Sequence, residues 1–329
     1  IADRLEMDRA YAQSTFSEAG IKTPKTKFFN DWEEAQAYVE KTEDRLVFKP
    51  EGDLSGTVPS YVSSDKDDMS EILEHYKGEQ RSSVPAFALQ QFVEGICVSS
   101  EAWFNGMGFL GPFNHTIERK QLMNDDLGPS GGCTGNVVWA CFAGEECPIC
   151  KALLYPLEEF LRSVSYVGPI DVNAVVTDDG IFALEFTPRF GYDATPTLLY
   201  ALLDAPIGVF FEAVARGVCD EVPLLPGFAA GVRVTVPPWP SEKFVAEAGL
   251  PLRGLRNFDK FYPYNVMKGE DTDYVTSGAY GITGISLGIG DTINEAFADA
   301  YKLAKKLRLP DKQYRTDLAE VFTKDYNRL

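Results

Sequence analysis

The sequence predicts an α+β fold, and three patterns support this prediction. The segment up to residue 93 follows the order helix, strand, loop, strand, helix, strand. Two apolar strands, at residues 170–177 and 181–187, are joined by Asp178-Asp179-Gly180, and an Asp-Gly step at such a joint is a strong hairpin signal. The last third places a glycine-rich strand region before an amphipathic helix. Hairpins beside separate helices are typical of α+β domains.

The first third of the chain has a signal for each predicted element. A helix is expected from Asp3 to Ala19, ended by Gly20. Asp31 is a good N-cap for a helix through Lys41, whose apolar residues recur at helical spacing. The remaining elements predicted here are strands at residues 46–49, 58–62 and 86–93 and a helix at residues 65–76.

The later elements follow from the same kinds of signal. Strands are expected near residues 99–104 and 137–140, and a helix roughly over residues 148–164. In the last third, the strand at residues 231–236 is broken by a proline-rich turn, and strands are expected within residues 278–290. Asp291 is predicted to cap the final long helix, whose apolar residues are Ile293, Phe297, Ala300, Tyr301, Ala304 and Leu307.

Composition and charge exclude several classes of protein. The 329 residues include 31 basic and 49 acidic side chains, which give a net charge of −18. Duplex DNA binding needs clustered Lys and Arg, and this chain has no such cluster, so we expect no duplex nucleic acid partner. We also expect no membrane association, because no apolar stretch is long enough to span a bilayer. Since the first residue is Ile1 rather than Met, we expect a fragment or a processed product.

The six cysteines are too few for a disulfide scaffold in a chain of this length. Cys147 and Cys150 form a single C-x-x-C, whereas a structural zinc site usually needs four ligands. A second C-x-x-C is absent, and His75 and His115 lie far away in the sequence. The spacing therefore does not favour zinc, and we expect the reduced thiols of a cytoplasmic protein.

The predicted hairpin has a carboxylate on each strand, Asp171 and Glu185. Depending on the register, Asp171 faces Glu185 or Thr187, or lies one step away. Two carboxylates on one sheet face repel each other unless a cation such as Mg²⁺ neutralises them, and the alternative is two solvated carboxylates on an exposed face. Arg189 follows closely, where it could contact a phosphate or form a surface salt bridge.

Other candidate residues have weaker signals. Lys49 ends an apolar strand before a glycine-containing turn, where it could reach a nucleotide phosphate or extend into water. Lys120 lies in Glu118-Arg119-Lys120 and is equally ambiguous. The loop at residues 128–135 contains four glycines and could present backbone N–H groups to an anion. The sequence has no G-x-x-x-x-G-K-[ST] P-loop, and neither histidine has the setting of a Ser–His–Asp hydrolase.

Taken together, these segments resemble the ATP-grasp superfamily and, within it, phosphoribosylamine–glycine ligase. The resemblance covers nearly the whole chain. The specific matches are "VGPIDVNAVVTDDGIFALEFTPRFG", similar to the family's metal-binding hairpin, and "GISLGIGDTINEAFADAYKLAKKLRLPDKQYRTDL", similar to its closing strand, helix and Tyr-Arg-x-Asp segment. Weaker matches are "GIKTP", "LVFKPEGDLSGTV", "LQQFVEG" and "ERKQLMNDDLGPSGG".

The resemblance implies a division of the chain and a set of site residues. The expected fold is an ATP-grasp fold of a lid subdomain and a central antiparallel-sheet subdomain, with a smaller C-terminal α/β module. The implied segments are residues 1–22 as a connecting helix, 23–93 as the lid, 94–215 as the central subdomain with the metal-binding hairpin, and 216–329 as a C-terminal domain like that of phosphoribosylamine–glycine ligase. The family's N-terminal domain is expected to be absent.

The implied cofactors are ATP and Mg²⁺, with Mn²⁺ as an alternative metal. The metal would be bound by Asp171, Glu185 and Thr187, and the phosphoryl group in transfer would be stabilised by Arg189 and Lys120. Residues matching the family's nucleotide site are Lys49 for the phosphates, Ser55 and Gly56 in the lid loop, Gln90, Gln91, Phe92 and Val93 at the adenine edge, and Cys97 near the ribose.

Four departures from the family pattern affect this expectation. Ser55-Gly56-Thr57 stands where the family has a lid lysine, and Thr187 stands where it has an Asn. Ile96-Cys97 stands at about the place where the family has an acidic residue that holds the ribose. The family's Asp-Pro-Glu after Arg-Phe-Gly is replaced by Tyr192-Asp193-Ala194. These changes leave the nucleotide site with fewer of the side chains that the family uses, and they favour a substrate pair other than that of the purine pathway.

Three functions remain open at this point. The first is a carboxylate–amine ligase that acts on small molecules through an acyl phosphate. The second is a degenerate ATP-grasp protein that serves as a nucleotide-binding or scaffold subunit. The third is phosphoribosylamine–glycine ligase without its N-terminal domain. The sequence leaves the oligomeric state open, including a homo-oligomer.

Overall fold

The structure is a computed structural model that describes residues 1–51, 58–79, 86–142, 146–241, 244–255, 260–269 and 274–329. The α-helices are α1 (Ala2–Met7), α2 (Arg9–Glu18), α3 (Trp32–Lys41), α4 (Lys66–Glu79), α5 (Pro148–Leu153), α6 (Glu158–Ser163), α7 (Ala194–Thr197), α8 (Ile207–Ala215), α9 (Ile293–Lys306) and α10 (Leu318–Tyr326). Within the described residues, no helix is long and apolar enough to cross a membrane.

The strands are β1 (Thr26–Phe29), β2 (Leu46–Pro50), β3 (Tyr61–Val62), β4 (Phe87–Gln91), β5 (Ile96–Asn105), β6 (Phe109–Gln121), β7 (Ser130–Cys141), β8 (Val167–Thr177), β9 (Gly180–Phe186), β10 (Phe228–Thr235), β11 (Ala248–Leu252), β12 (Phe261–Pro263), β13 (Val266–Lys268), β14 (Tyr274–Ser277) and β15 (Ile282–Gly290). The chain forms two compact units. The first comprises Ile1–Cys97, Pro148–Tyr166 and Ile170–Arg189, and the second comprises Val98–Cys147, Val167–Pro169 and Phe190–Leu329.

The first unit contains an antiparallel sheet of order β1-β4-β2-β3, with α3 and α4 in contact with each other. Its core is aromatic: the Phe87 ring lies 4.7 Å from Trp32 and 5.0 Å from Phe48, centroid to centroid. The predicted N-cap is confirmed, since the Asp31 carboxylate accepts a hydrogen bond from the Glu34 N–H at 2.9 Å. The apolar face of α3 therefore packs as its spacing predicts.

The predicted N-terminal helix is divided in two at Asp8. Its backbone is non-helical (φ −101°, ψ 89°), and its carboxylate accepts the Tyr11 N–H at 2.8 Å, so Asp8 ends α1 and caps α2. Helix α2 then packs on the β8–β9 hairpin. Phe16 stacks on Phe186 at 4.0 Å, and the Gln13 side-chain amide donates to the Leu184 carbonyl at 3.2 Å.

The second unit contains strands in the order β12-β15-β10-β7-β6-β5 and a separate sheet of order β11-β14-β13. Helix α9 lies on β15 and β10. This close approach requires glycine at position 288, because a Cβ there would lie 2.1 Å from the Ala296 carbonyl oxygen. The cap of α9 is Thr292, one residue after the predicted Asp291, and it forms a reciprocal capping box with Glu295.

Several predicted elements differ from the structure. The helix expected over residues 148–164 is broken into α5, a 3₁₀ turn at Tyr155–Leu157 and α6. Pro156 explains the break, because proline lacks an N–H and disrupts a helix interior. Strands β1, β6, β11, β12, β13 and β14 were not predicted, and the strand expected at residues 58–62 is shortened to β3. The α+β class is confirmed, and the four-segment division stays a prediction.

Candidate functional site

The β8–β9 hairpin presents four oxygen-bearing side chains on one face. Val172 pairs with Phe186, and Asn173 pairs with Glu185. The Thr187 N–H donates to the Asp171 carbonyl at 2.9 Å, so these two residues are opposite each other as well. Because alternate strand residues point to opposite faces, Asp171, Asn173, Glu185 and Thr187 share a face. The register thus places Asp171 opposite Thr187 rather than opposite Glu185.

Hydrogen bonds connect three of these side chains, Asp171, Asn173 and Thr187. The Thr187 hydroxyl donates to Asp171 Oδ2 at 2.6 Å, and the Asn173 side-chain amide donates to the same hydroxyl oxygen at 3.4 Å. Asp171 is 8 % exposed. Carboxylate, amide and hydroxyl oxygens are the ligands that Mg²⁺ prefers, so the donor set fits that ion. Asn173 was not predicted from the sequence, although its position two residues after Asp171 places it on the same face.

Two cations lie beside Glu185. Glu185 Oε2 accepts a hydrogen bond from Arg9 Nη1 at 3.2 Å and lies 3.8 Å from Lys49 Nζ. The structure therefore brings together the predicted phosphate-binding lysine and a predicted metal ligand. Arg9 was not predicted, because nothing local in α2 indicates a partner 176 residues further along the chain.

Arg9 also has an unused donor. Its Nε is buried and has no hydrogen-bond partner within the described part of the chain. A buried guanidinium N–H of this kind is costly unless it is paired, and it suits an anionic oxygen. Nearby, burial and the charge of Asp8 raise the pKa of Glu51, while the Arg9 charge opposes the shift. The residues around Glu185 are thus rich in charges of both signs.

The residues predicted at the adenine edge lie at the end of β4. The side-chain amides of Gln90 and Gln91 donate to Thr26 Oγ1 and Asp44 Oδ1, each at 2.9 Å. The N–H groups of Gln91 and Phe92 donate to the Lys25 and Arg45 carbonyls at 2.8 and 2.7 Å. These groups are therefore engaged within the protein. The role of Gln90, Gln91, Phe92 and Val93 at a nucleotide stays a prediction.

The other predicted residues have the following positions. Arg189 is about half exposed and donates from Nε to Glu6 Oε1 at 3.1 Å, which is the surface salt bridge considered as its alternative role. Cys97 is exposed. Lys120 belongs to the second unit, where it is exposed at a β-bulge between β6 and β7. Ser55 and Gly56 lie outside the described residues.

The loop that follows Lys120 is fixed by the Tyr-Arg-x-Asp segment near the C-terminus. Arg315 is fully buried and donates to the carboxylates of Asp126 and Asp317, each at 2.6 Å. Asp317 in turn accepts the Asp125 N–H at 2.9 Å. Two segments that carry the sequence resemblance therefore contact each other within the second unit.

The architecture is that of the ATP-grasp fold, and solved structures support this assignment. Phosphoribosylamine–glycine ligase from Thermotoga maritima superposes with a TM-score of 0.79 at 23% sequence identity, over 96% of this chain and 79% of that chain. A biotin carboxylase from Campylobacter jejuni gives a TM-score of 0.64 at 12% identity, over 95% of this chain and 69% of that chain. At these identities the likeness shows the fold alone.

Sequence comparisons specify the family. The model for "Phosphoribosylglycinamide synthetase, ATP-grasp (A) domain" matches residues 7–195, more than half of the chain. The trifunctional purine biosynthetic protein adenosine-3 of Drosophila melanogaster is 27% identical over 96% of this chain, which spans about a quarter (24%) of that protein. Phosphoribosylamine–glycine ligase of Clostridium acetobutylicum is 22% identical over 97% of this chain and 77% of its own length. The chain belongs to the phosphoribosylglycinamide synthetase family of ATP-grasp ligases.

Proposed function

We propose that this chain is an ATP-dependent carboxylate–amine ligase whose reaction proceeds through an acyl phosphate with Mg²⁺. In the first step, a carboxylate oxygen attacks the γ-phosphorus of ATP, the bond to the β-phosphate oxygen breaks, and ADP leaves. In the second step, an amine nitrogen attacks the acyl carbon, inorganic phosphate leaves with the electron pair of the C–O bond, and the nitrogen loses a proton. The product is an amide.

The proposal assigns roles to the residues around the hairpin. Asp171 and Glu185, with Thr187 and Asn173 beside them, would hold the metal ion, which would supply positive charge to the phosphate oxygens. Lys49 and the unused Nε of Arg9 would bind anionic oxygens of the nucleotide or of the carboxylate substrate. Arg189 would stabilise charge on the phosphoryl group after leaving Glu6, and we keep Lys120 in the same predicted role.

The observation that supports this function most is the 3.8 Å separation between Lys49 Nζ and Glu185 Oε2. A phosphate-binding lysine and a metal-binding carboxylate must act on the same phosphate group, so they need to be neighbours. Here a strand of the lid sheet and the hairpin supply them from positions 136 residues apart in sequence. A scaffold protein would have no need of this arrangement. In such a protein the buried Arg9 Nε–H, which has no partner within the described residues, would lower stability without serving a function.

Thermal unfolding with ATP, with and without Mg²⁺, tests the site. At about 100 times its dissociation constant, a ligand adds about 2.7 kcal/mol of stability. We expect an increase in melting temperature that requires Mg²⁺ in the wild-type protein and is lost in Glu185→Gln. Glu158→Gln is the matched control, since Glu158 forms an exposed ion pair with Arg162 in the same unit and should leave the increase intact.

The comparison uses ligand-induced shifts, because Glu185→Gln also removes ion pairs with Arg9 and Lys49 and so lowers the melting temperature of the unliganded protein. If millimolar MgATP produces no shift in the wild-type protein, the ligase proposal is wrong and the scaffold alternative gains support. An equal increase in melting temperature in the wild type and in Glu185→Gln would show that Glu185 does not bind the metal ion.

The substrates are then identified by ADP release. Glycine with phosphoribosylamine is the first pair to assay, because the curated relatives are phosphoribosylamine–glycine ligases. The departures at Thr187 and at Tyr192-Asp193-Ala194 favour another pair, and Asp193 is fully buried on Arg233, where it cannot contact a substrate. We therefore expect little turnover with glycine and faster turnover with another amino acid or small carboxylate.

A cytoplasmic location stays a prediction.

A further inference from the structure

Three cysteines and a histidine form a compact group that the proposed ligase reaction does not use. The group consists of His115, Cys141, Cys147 and Cys150, and we call it the cysteine–histidine cluster. One ligand atom from each residue lies within 4.8 Å of those of the other three. His115, Cys147 and Cys150 are buried and Cys141 is partly exposed.

The sheet register brings the first two members together. His115 pairs with Trp139 across β6 and β7, and Cys141 is two residues further along β7. Diagonal neighbours of this kind lie on the same face and within reach of each other's side chains. Cys147 Sγ lies 3.2 Å from His115 Nε2. Cys150 follows Cys147 by three residues of continuous chain, in the first turn of α5.

The imidazole is held in the orientation that a metal ligand needs. Ser100 pairs with His115 across β5 and β6, and its hydroxyl oxygen lies 3.0 Å from His115 Nδ1. With Nδ1–H donating to Ser100, the Nε2 lone pair is directed into the cluster. Metal-binding histidines almost always have such a partner on the second ring nitrogen, which fixes the tautomer and the ring orientation.

The distances and the donor atoms select the metal. In tetrahedral zinc sites, Zn–S is about 2.3 Å and Zn–N about 2.0–2.1 Å, so neighbouring ligand atoms are roughly 3.6–3.8 Å apart. In the cluster, His115 Nε2 and Cys147 Sγ are 3.2 Å apart and all four ligand atoms lie within 4.8 Å of one another, which is compatible with that spacing. Three sulfurs and one imidazole nitrogen are a Cys₃His set, which is common among structural zinc sites, and soft sulfur ligands disfavour Mg²⁺.

We propose that His115, Cys141, Cys147 and Cys150 bind one structural Zn²⁺ ion. Each cysteine loses its thiol proton on binding, and the three thiolates with Zn²⁺ leave a net charge of −1 at the site. All four coordination positions are filled by the protein, which is the arrangement of structural rather than catalytic zinc. The ion links the middle of β6, at His115, and the end of β7, at Cys141, to the Cys-Pro-Ile-Cys segment.

Metal analysis of the purified protein tests this proposal. The chain is produced without a metal-binding tag in zinc-supplemented medium, kept reduced, and analysed by inductively coupled plasma mass spectrometry. We expect about one zinc per chain in the wild type and at least a tenfold lower content in the double variant Cys147→Ser, Cys150→Ser. Cys219→Ser is the matched control, because Cys219 lies outside the cluster, and its zinc content should equal that of wild type.

A second measurement covers the case in which the double variant does not fold. Wild-type protein is stripped of metal under reducing conditions and titrated with Co²⁺, which gives sulfur-to-metal charge transfer and intense visible bands in a tetrahedral thiolate site. We expect saturation at one equivalent and bleaching by Zn²⁺. Ser100→Ala, which removes only the partner of His115, should weaken zinc binding by about 10–100-fold in competition with a chromophoric chelator.

Four results would overturn the assignment. The wild-type protein could neither contain zinc nor take up Co²⁺, or the folded double variant could retain as much zinc as the wild type. The other two results are a Cys147–Cys150 disulfide that persists in reductant, and iron with acid-labile sulfide in place of zinc.

Discussion

Replacing Asp193 with Asn should be among the most destabilising single changes in the second unit. Asp193 is fully buried and Arg233 is 4 % exposed, and Arg233 donates from both Nε and Nη2 to the two carboxylate oxygens. Burial alone would lower the pKa of Arg233, but the hydrogen bonds and charge of Asp193 raise it. In Asp193→Asn the guanidinium stays charged and buried without a counter-ion. Breaking such a pair costs about 3–5 kcal/mol.

Urea unfolding followed by circular dichroism measures this cost. With a slope of about 3 kcal/mol per molar urea, a loss of 3–5 kcal/mol lowers the midpoint by about 1–1.7 M. Glu212→Gln is the control, because Glu212 and Arg216 form an exposed ion pair in the same unit. Loss of this pair should lower the free energy of unfolding by less than about 1 kcal/mol.

The double variant Asp193→Leu, Arg233→Met should recover much of the loss, since apolar residues of similar volume often replace a buried ion pair at little cost. If Asp193→Asn moves the midpoint no further than Glu212→Gln, the pair does not act as a buried charge pair and the reasoning is wrong.

Two further changes test other parts of the fold. Burial alone would raise the pKa of Asp317, but hydrogen bonds from Arg315 and from the Asp125 N–H lower it below its ordinary value of 3.8. The ionised Asp317 carboxylate therefore stabilises the folded protein above pH 3.8, and this stabilisation is lost as the pH falls through the folded-state pKa. Asp317→Asn should thus be less stable than wild type at pH 7, and urea midpoints should converge at low pH; a constant difference would contradict this. Phe48→Ala, in a ring cluster with Phe87 and Tyr76 at 5.0 Å, should cost about 3–5 kcal/mol in urea unfolding, and the more exposed Phe28→Ala should cost clearly less.

Elements with local signals were predictable from the sequence. The Asp31 cap and the β8–β9 hairpin depend on residues within a few positions of each other, and both are found where the sequence places them. Elements that depend on distant partners were not. Strand β6 has few consecutive apolar residues, and it becomes a strand because β5 and β7 supply hydrogen bonds on both sides.

The candidate site divides in the same way. Asp171 and Glu185 could be named because a hairpin carries carboxylates on both strands, but their register could not, since it depends on a bulge after Asn173. Arg9 could not be named at all. Its partner Glu185 is brought near by the packing of Phe16 on Phe186, and Phe16 lies about two helical turns after Arg9 in α2.

The cysteine–histidine cluster shows why a motif search can dismiss a site that the fold assembles. The C-x-x-C at Cys147 and Cys150 supplies only two of the four ligands that zinc needs, and the sequence separates His115 from Cys147 by 32 residues. That separation is the length of a β-hairpin whose register places His115 and Cys141 on one face. The quantity that decides whether a lone C-x-x-C binds metal is therefore the face on which neighbouring strands present His and Cys. Sequence spacing alone does not contain that quantity, because a shift of the pairing by one residue would place His115 and Cys141 on opposite faces of the sheet.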